Sequence, residues 1–113
     1  MKNQPQRDLF PGALEMMILQ TLKRQPLHGY ALAQHIKTIS DDLLQVEEGS
    51  LYPALQRMLK AGLVEANWGT STTKRRVRIY KLTPDGAKHL KDEISSFERL
   101  LEGIRRVLSP ARI

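Results

Sequence analysis

The chain has no cysteine, so disulfides, thiolate nucleophiles and zinc–thiolate centres are excluded from the outset. Aromatic residues are scarce, at 5% of the sequence, which argues against a surface that captures single strands or RNA loops by base stacking. No apolar run approaches the roughly 18 residues of a membrane span, and positions 1–8 are polar where a secretion signal would be hydrophobic. A cytoplasmic location, with no membrane partner, is therefore expected. Acids are the minority charge: 12 aspartates and glutamates face 18 lysines and arginines, for a net charge of +6. That balance favours a polyanionic partner. The 113 residues have room for one domain with a modest core.

Catalytic groupings are missing as well. The histidines, His28, His35 and His89, have no paired carboxylates, glycine-rich phosphate loop or nucleophile elbow near them. His28 and His35 share a spacing but lack a third ligand. Neither an enzyme, a metal site nor a cofactor is expected.

What is there is a regular alternation of elements. Residues 1–8 read as a flexible arm. After Pro11-Gly12, the residues Leu14, Met17, Ile18, Thr21 and Leu22 recur at helical spacing, and the helix should stop near Arg24, ahead of Pro26. A second helix is expected over 30–39, with Tyr30, Ala33 and Ile36 facing inward and Leu32 as a further candidate. Ser40-Asp41-Asp42 ends it. Gly49-Ser50 reads as the N-cap of a third helix running to about Ala61, with Pro53 in the first turn and Gly62 as terminator. Its buried stripe is Leu51, Leu55, Met58 and Leu59. Its opposite face carries Ser50, Pro53, Ala54 and Arg57, with Gln56 and Lys60 at the edges. Strands are expected over 64–68 and 77–82, joined by the polar run 69–76.

Thr83-Pro84-Asp85-Gly86 supplies an N-cap, a proline at the first helical position and an acid near the positive helix end. In the helix that follows, Ala87, Leu90, Ile94, Phe97, Leu101, Ile104 and Leu108 are spaced 3, 4, 3, 4, 3, 4. This heptad seam predicts a homodimer through Leu90, Ile94, Phe97, Leu101, Ile104 and Leu108 in preference to a helix that only caps its own core. Leu100 and Val107 widen the stripe, and Gly103, which costs about 1 kcal/mol against Ala, suits a close helix crossing. The fold class is mainly α with a small β-hairpin. Residues 9–83 form a winged helix-turn-helix and 84–109 a long C-terminal dimerisation helix.

The third helix has the character of a DNA reader, because short outward side chains let its backbone approach base edges in the major groove. Arg57 suits guanine, and Ser50, Tyr52 and Gln56 suit phosphate or base edges. Lys74, Arg75, Arg76, Arg78 and Lys81 place five cations within eight positions on the hairpin, fit for phosphate or minor-groove contacts. Acids gather elsewhere, at Asp41, Asp42, Glu47 and Glu48 in the connector and at Asp92, Glu93, Glu98 and Glu102 on the last helix.

The runs LFPGALEMMILQTL, HGYALAQHI, EEGSLYPALQRMLKAGLVEANW and RRVRIYKLTPDGAKHL resemble the PadR family of transcriptional regulators over roughly residues 9–108. Ser50-Leu51-Tyr52-Pro53-Ala54-Leu55 is the most specific piece. The resemblance implies a repressor that dimerises through its last helix, binds double-stranded DNA at a palindromic operator, and is released by a ligand or stress signal. It places DNA contacts on Tyr30, Ser50, Tyr52, Pro53 and Arg57 and on the basic wing at Lys74, Arg75, Arg76 and Arg78, with Gln56 and Lys60 alongside. Some short members stack flat aromatic drugs on a tryptophan of the last helix. Here Phe97 stands in that helix and Trp68 lies on the wing strand, a departure from that pattern.

Overall fold

The computed structural model describes residues 12–109. The expected arm at 1–8, and the start of the expected winged domain, lie outside the described residues. Helix α1 (Ala13–Arg24) is followed by a short strand β1 (Leu27–His28), α2 (Gly29–Ile39), α3 (Glu48–Lys60), β2 (Val64–Thr70), β3 (Arg76–Leu82) and α4 (Pro84–Leu108). The sheet is antiparallel in the order β1-β3-β2. The expected hairpin thus has a third strand. Leu27 pairs with Tyr80 and His28 with Ile79, and a segment of this length shows no alternation of its own for a sequence reading to detect.

The core gathers one stripe from each element. Ile18, Leu19 and Leu22 of α1 meet Leu32 and Ile36 of α2, Leu51, Ala54, Leu55 and Met58 of α3, Val64 and Tyr80 of the sheet, and Leu90 of α4. Burying each large aliphatic among these contributes roughly 1.5–3 kcal/mol.

Several expected placements change. Helix α3 begins at Glu48, with Glu47 as an N-cap that makes no side-chain hydrogen bond. Ser50 is therefore helical, not the cap, and Glu48 leaves the connector to place its charge at the positive helix end. Pro53 falls in the second turn, where it leaves the Gly49 carbonyl without its helical donor. Ala54 is buried, because three residues beyond Leu51 and four before Met58 is the core face. Tyr30 is 62% exposed, and Leu32 takes the interior position in its place.

Helix ends follow local chemistry. Gly62 (φ +76°) lets its own amide bond Leu59 O at 3.1 Å and the Leu63 amide bond Met58 O at 2.9 Å, a Schellman closure of α3. Asp41 (φ +58°) does the same for α2, with its amide on Thr38 O and that of Asp42 on Lys37 O. Thr83 caps α4: its hydroxyl accepts from the Gly86 amide at 3.0 Å and donates to Gly62 O at 2.7 Å. One side chain thus ties the start of α4 to the end of α3. Thr83→Ala should lower stability by about 2 kcal/mol, the upper end for a lost cap, measured as the unfolding midpoint in urea.

Candidate nucleic-acid interface

The outward face of α3 presents Pro53, Gln56 and Lys60, all exposed, with Ser50 and Arg57 on one flank and Tyr52 on the other. Tyr52 is not simply solvated. Its ring lies over Gly29 at the start of α2, so close that a Cβ on Gly29 would sit 2.6 Å from the phenol oxygen. Glycine there allows the two helices of the turn to meet. Burial pushes the Tyr52 phenol above its usual range, and Glu48 and then Tyr80 add to the shift. The hydroxyl stays protonated at neutral pH and can donate a hydrogen bond.

Arg57 is likewise engaged. Its Nη2 and Nε donate to Glu15 Oε2 of α1 at 2.7 and 3.2 Å. Nothing in the spacing of α3 announces that partner, 42 positions away.

The register of the wing sorts its cations. Val64, Ala66, Trp68 and Thr70 share a face with Arg76, Arg78, Tyr80 and Leu82. Near the body that face covers the core; beyond it, Trp68 emerges 60% exposed. The Arg76 and Arg78 guanidiniums lie 4.3 and 5.8 Å from the Trp68 ring centroid, which holds both arginines by cation–π attraction. Trp68 is a residue that the sequence reading left out of the site; its alternation with Arg76 and Arg78 across the ladder was the available signal. Lys81 projects from the other face, opposite Glu65.

The wing tip is organised by Ser71. Its amide bonds Arg75 O at 2.9 Å, its carbonyl accepts from the Lys74 amide at 2.9 Å, and its hydroxyl accepts from the Arg75 amide at 3.1 Å. Lys74 takes φ +65°, a left-handed position costly for a lysine. Between this tip and α2 runs an open groove of about 950 Å³ lined by Tyr30, Gln34, Thr38, Ser71, Thr73 and Arg75. Tyr52 thus lies against the start of α2 at Gly29, and the next residue, Tyr30, lines the groove that Arg75 of the wing also lines. No group of three or more histidine, aspartate or glutamate side chains suited to a metal occurs among the described residues.

Helix α4 divides its seam. Leu90 is 2% exposed and belongs to its own chain's core; the expectation that it meets a partner is corrected, because the first turns of α4 start on the body and spend their apolar face there. Ile94, Phe97 and Leu101 wall an apolar groove of about 420 Å³ with Met16 and Met17 of α1 and Ile36 and Ile39 of α2. Further along, Leu100, Val107 and Leu108 are exposed. No helix among the described residues is long and apolar enough to cross a membrane.

Comparison with known proteins bears on this architecture. A transcriptional regulator from Clostridium thermocellum superposes with a TM-score of 0.80 at 27% identity, covering 88% of this chain and 96% of that one. A PadR-like transcriptional regulator from Bacillus cereus gives 0.75 at 27% identity over 89% and 96% of the two chains. Bacillus subtilis PadR, solved in complex with operator DNA, gives 0.64 at 25% identity, over 72% of this chain and 47% of its own. The model of the PadR-like transcriptional regulator family matches residues 18–92. With most of its folded body inside that match, this chain belongs to the PadR-like family and is a transcriptional regulator, not an enzyme.

Proposed function

We propose that the chain is a cytoplasmic repressor that binds a palindromic operator in double-stranded DNA as a homodimer. What supports this reading above all is that Tyr52 of α3 packs against Gly29 at the start of α2, while the adjacent Tyr30 shares a groove with Arg75 of the cationic wing tip. In the proposed complex α3 enters the major groove. Ser50, Pro53, Gln56, Arg57 and Lys60 line the approach, while Tyr52 donates to a phosphate. Lys74, Arg75, Arg76 and Arg78 follow the backbone into the adjoining minor groove. Residues 9–83 form the DNA-binding body and 84–109 the dimerisation helix, through Ile94, Phe97, Leu101, Ile104 and Leu108. Two-fold symmetry then sets the reading helices about 34 Å apart, one turn of duplex. A small-molecule effector bound near the seam would act by changing that spacing.

Selection of bound fragments from a random duplex pool, with single-stranded DNA and RNA as competitors, tests the reading. Equal retention of all three nucleic acids would remove it. The residues have separable roles. Arg57→Ala should cost roughly 1–3 kcal/mol of discrimination at one base pair per half-site. Arg75→Ala should instead weaken binding to every sequence alike and flatten the slope of log K against log salt, about −5 for six phosphate contacts, by about 2. Titrations of both variants at several salt concentrations separate these effects, and the reverse pattern would exchange the two assignments.

A further inference from the structure

The Glu15–Arg57 pair carries an inference beyond the general DNA-reading surface, on whose correctness it rests. We propose that Glu15 is a positioning residue for Arg57, fixing the guanidinium so that its free edge faces a guanine. Arginine offers five N–H donors in one rigid plane. Both bonds to Glu15 come from the Nε–Nη2 side of that plane and end on a single carboxylate oxygen. The Nη1–Nη2 edge is left free, with two parallel N–H groups of the spacing that matches guanine O6 and N7. The anchor is firm: Glu15 is 25% exposed on a helix whose Ile18, Leu19 and Leu22 are in the core. The guanidinium is not buried by this contact, since the Arg57 side chain remains 61% exposed. An unsupported arginine on the flank of α3 would spread over many rotamers, and ordering it on contact with DNA would weaken its selectivity.

A carboxylate beside an arginine can also act as a lock, occupying the donors that a base needs. The geometry here favours support, because the pairing uses the side edge and spares the end. The two roles differ in sign. A support raises the ratio of affinity for the selected site over a site altered at the contacted G·C pair; a lock lowers it. In either case the negative charge of Glu15 repels phosphates, so its removal strengthens binding to unrelated duplex.

The test uses the whole chain and the duplex obtained by selection. Glu15→Ala is expected to lower the discrimination ratio roughly tenfold while affinity for unrelated duplex holds or rises. Glu15→Gln, which keeps an acceptor for Arg57 without the charge, should fall between the two, and it carries the test if the alanine variant folds poorly. In an Arg57→Ala background, Glu15→Ala should leave the ratio where it is. A ratio that rises on removing Glu15 would identify a lock, and an equal fall with Arg57 already absent would show an effect through the fold; either result overturns the proposal. A wild-type protein that enriches no duplex overturns the DNA-reading function itself, a distinct outcome.

Discussion

Replacing Gly86 with alanine should destabilise the fold severely, although alanine is the better helix former by about 1 kcal/mol. A Cβ at Gly86 would overlap the Leu63 carbonyl oxygen and lie 2.7 Å from a Leu82 methyl. The first obstacle is backbone and cannot rotate away. It is also committed, since Leu63 O accepts the Thr83 amide at 3.2 Å. Making room means lifting the start of α4 off the sheet. That movement breaks this bond, the Gly86 bond to the Thr83 cap and the Thr83 bond to Gly62 O. Overpacking costs about 1–3 kcal/mol where side chains can adjust; with three hydrogen bonds also displaced, about 3–5 kcal/mol is expected. That is a large share of the roughly 5–15 kcal/mol that holds a domain together. Thermal unfolding followed by circular dichroism should show the midpoint falling by at least about 12 °C. A midpoint within a degree or two of wild type would mean that α4 does not dock as described.

The second large effect concerns assembly. Ile104→Asp combined with Leu108→Asp should give a folded monomer. These positions lie on the outer turns of α4, beyond the groove walled by Ile94, Phe97 and Leu101. Ile94 packs on its own chain's core, so a charge there would disturb folding and association together. The outer pair, with Leu108 exposed and Ile104 half-buried and neither in the core cluster, reports association far more directly. In the proposed symmetric seam two buried carboxylates would be opposed by two more from the partner, and unpaired buried charge is strongly unfavourable. Sedimentation velocity should show half the mass of the wild-type particle, with an unchanged helical spectrum. Losing one of two linked half-sites removes the effective-concentration gain, so operator affinity should drop by about 10²–10⁴-fold. A variant that remains dimeric would reject the α4 seam as the association surface.

How much of this the sequence discloses depends on the range of the signal. Long amphipathic elements and their caps are local: the Thr83 cap, the Gly62 stop and the extent of α4 are each written within a few residues of where they act. The strand β1 is not, because two residues acquire strand character only by pairing with Tyr80 and Ile79. The start of α3 is similarly hidden. Ser50 is a good cap by type, but the helix runs back to Glu48, where no side chain announces it. Position on a helical wheel assigns faces only to within a residue, hence the errors at Ala54 and Tyr30. A heptad repeat cannot say which of its turns are used at home, and Leu90 is one that is. At the site, residue types on α3 and the wing indicated the chemistry. The partners of those side chains were illegible, since Glu15 reaches Arg57, and Gly29 admits Tyr52, only through the tertiary fold.

The placement of Trp68 has a practical corollary. The sole indole of the chain sits on the wing beneath Arg76, remote in sequence from the α4 seam. Intrinsic fluorescence is therefore a label already installed on the hairpin alone: the proposed contact between hairpin and duplex would be followed by emission without a dye, and the proposed pairing through α4 would leave that signal unchanged.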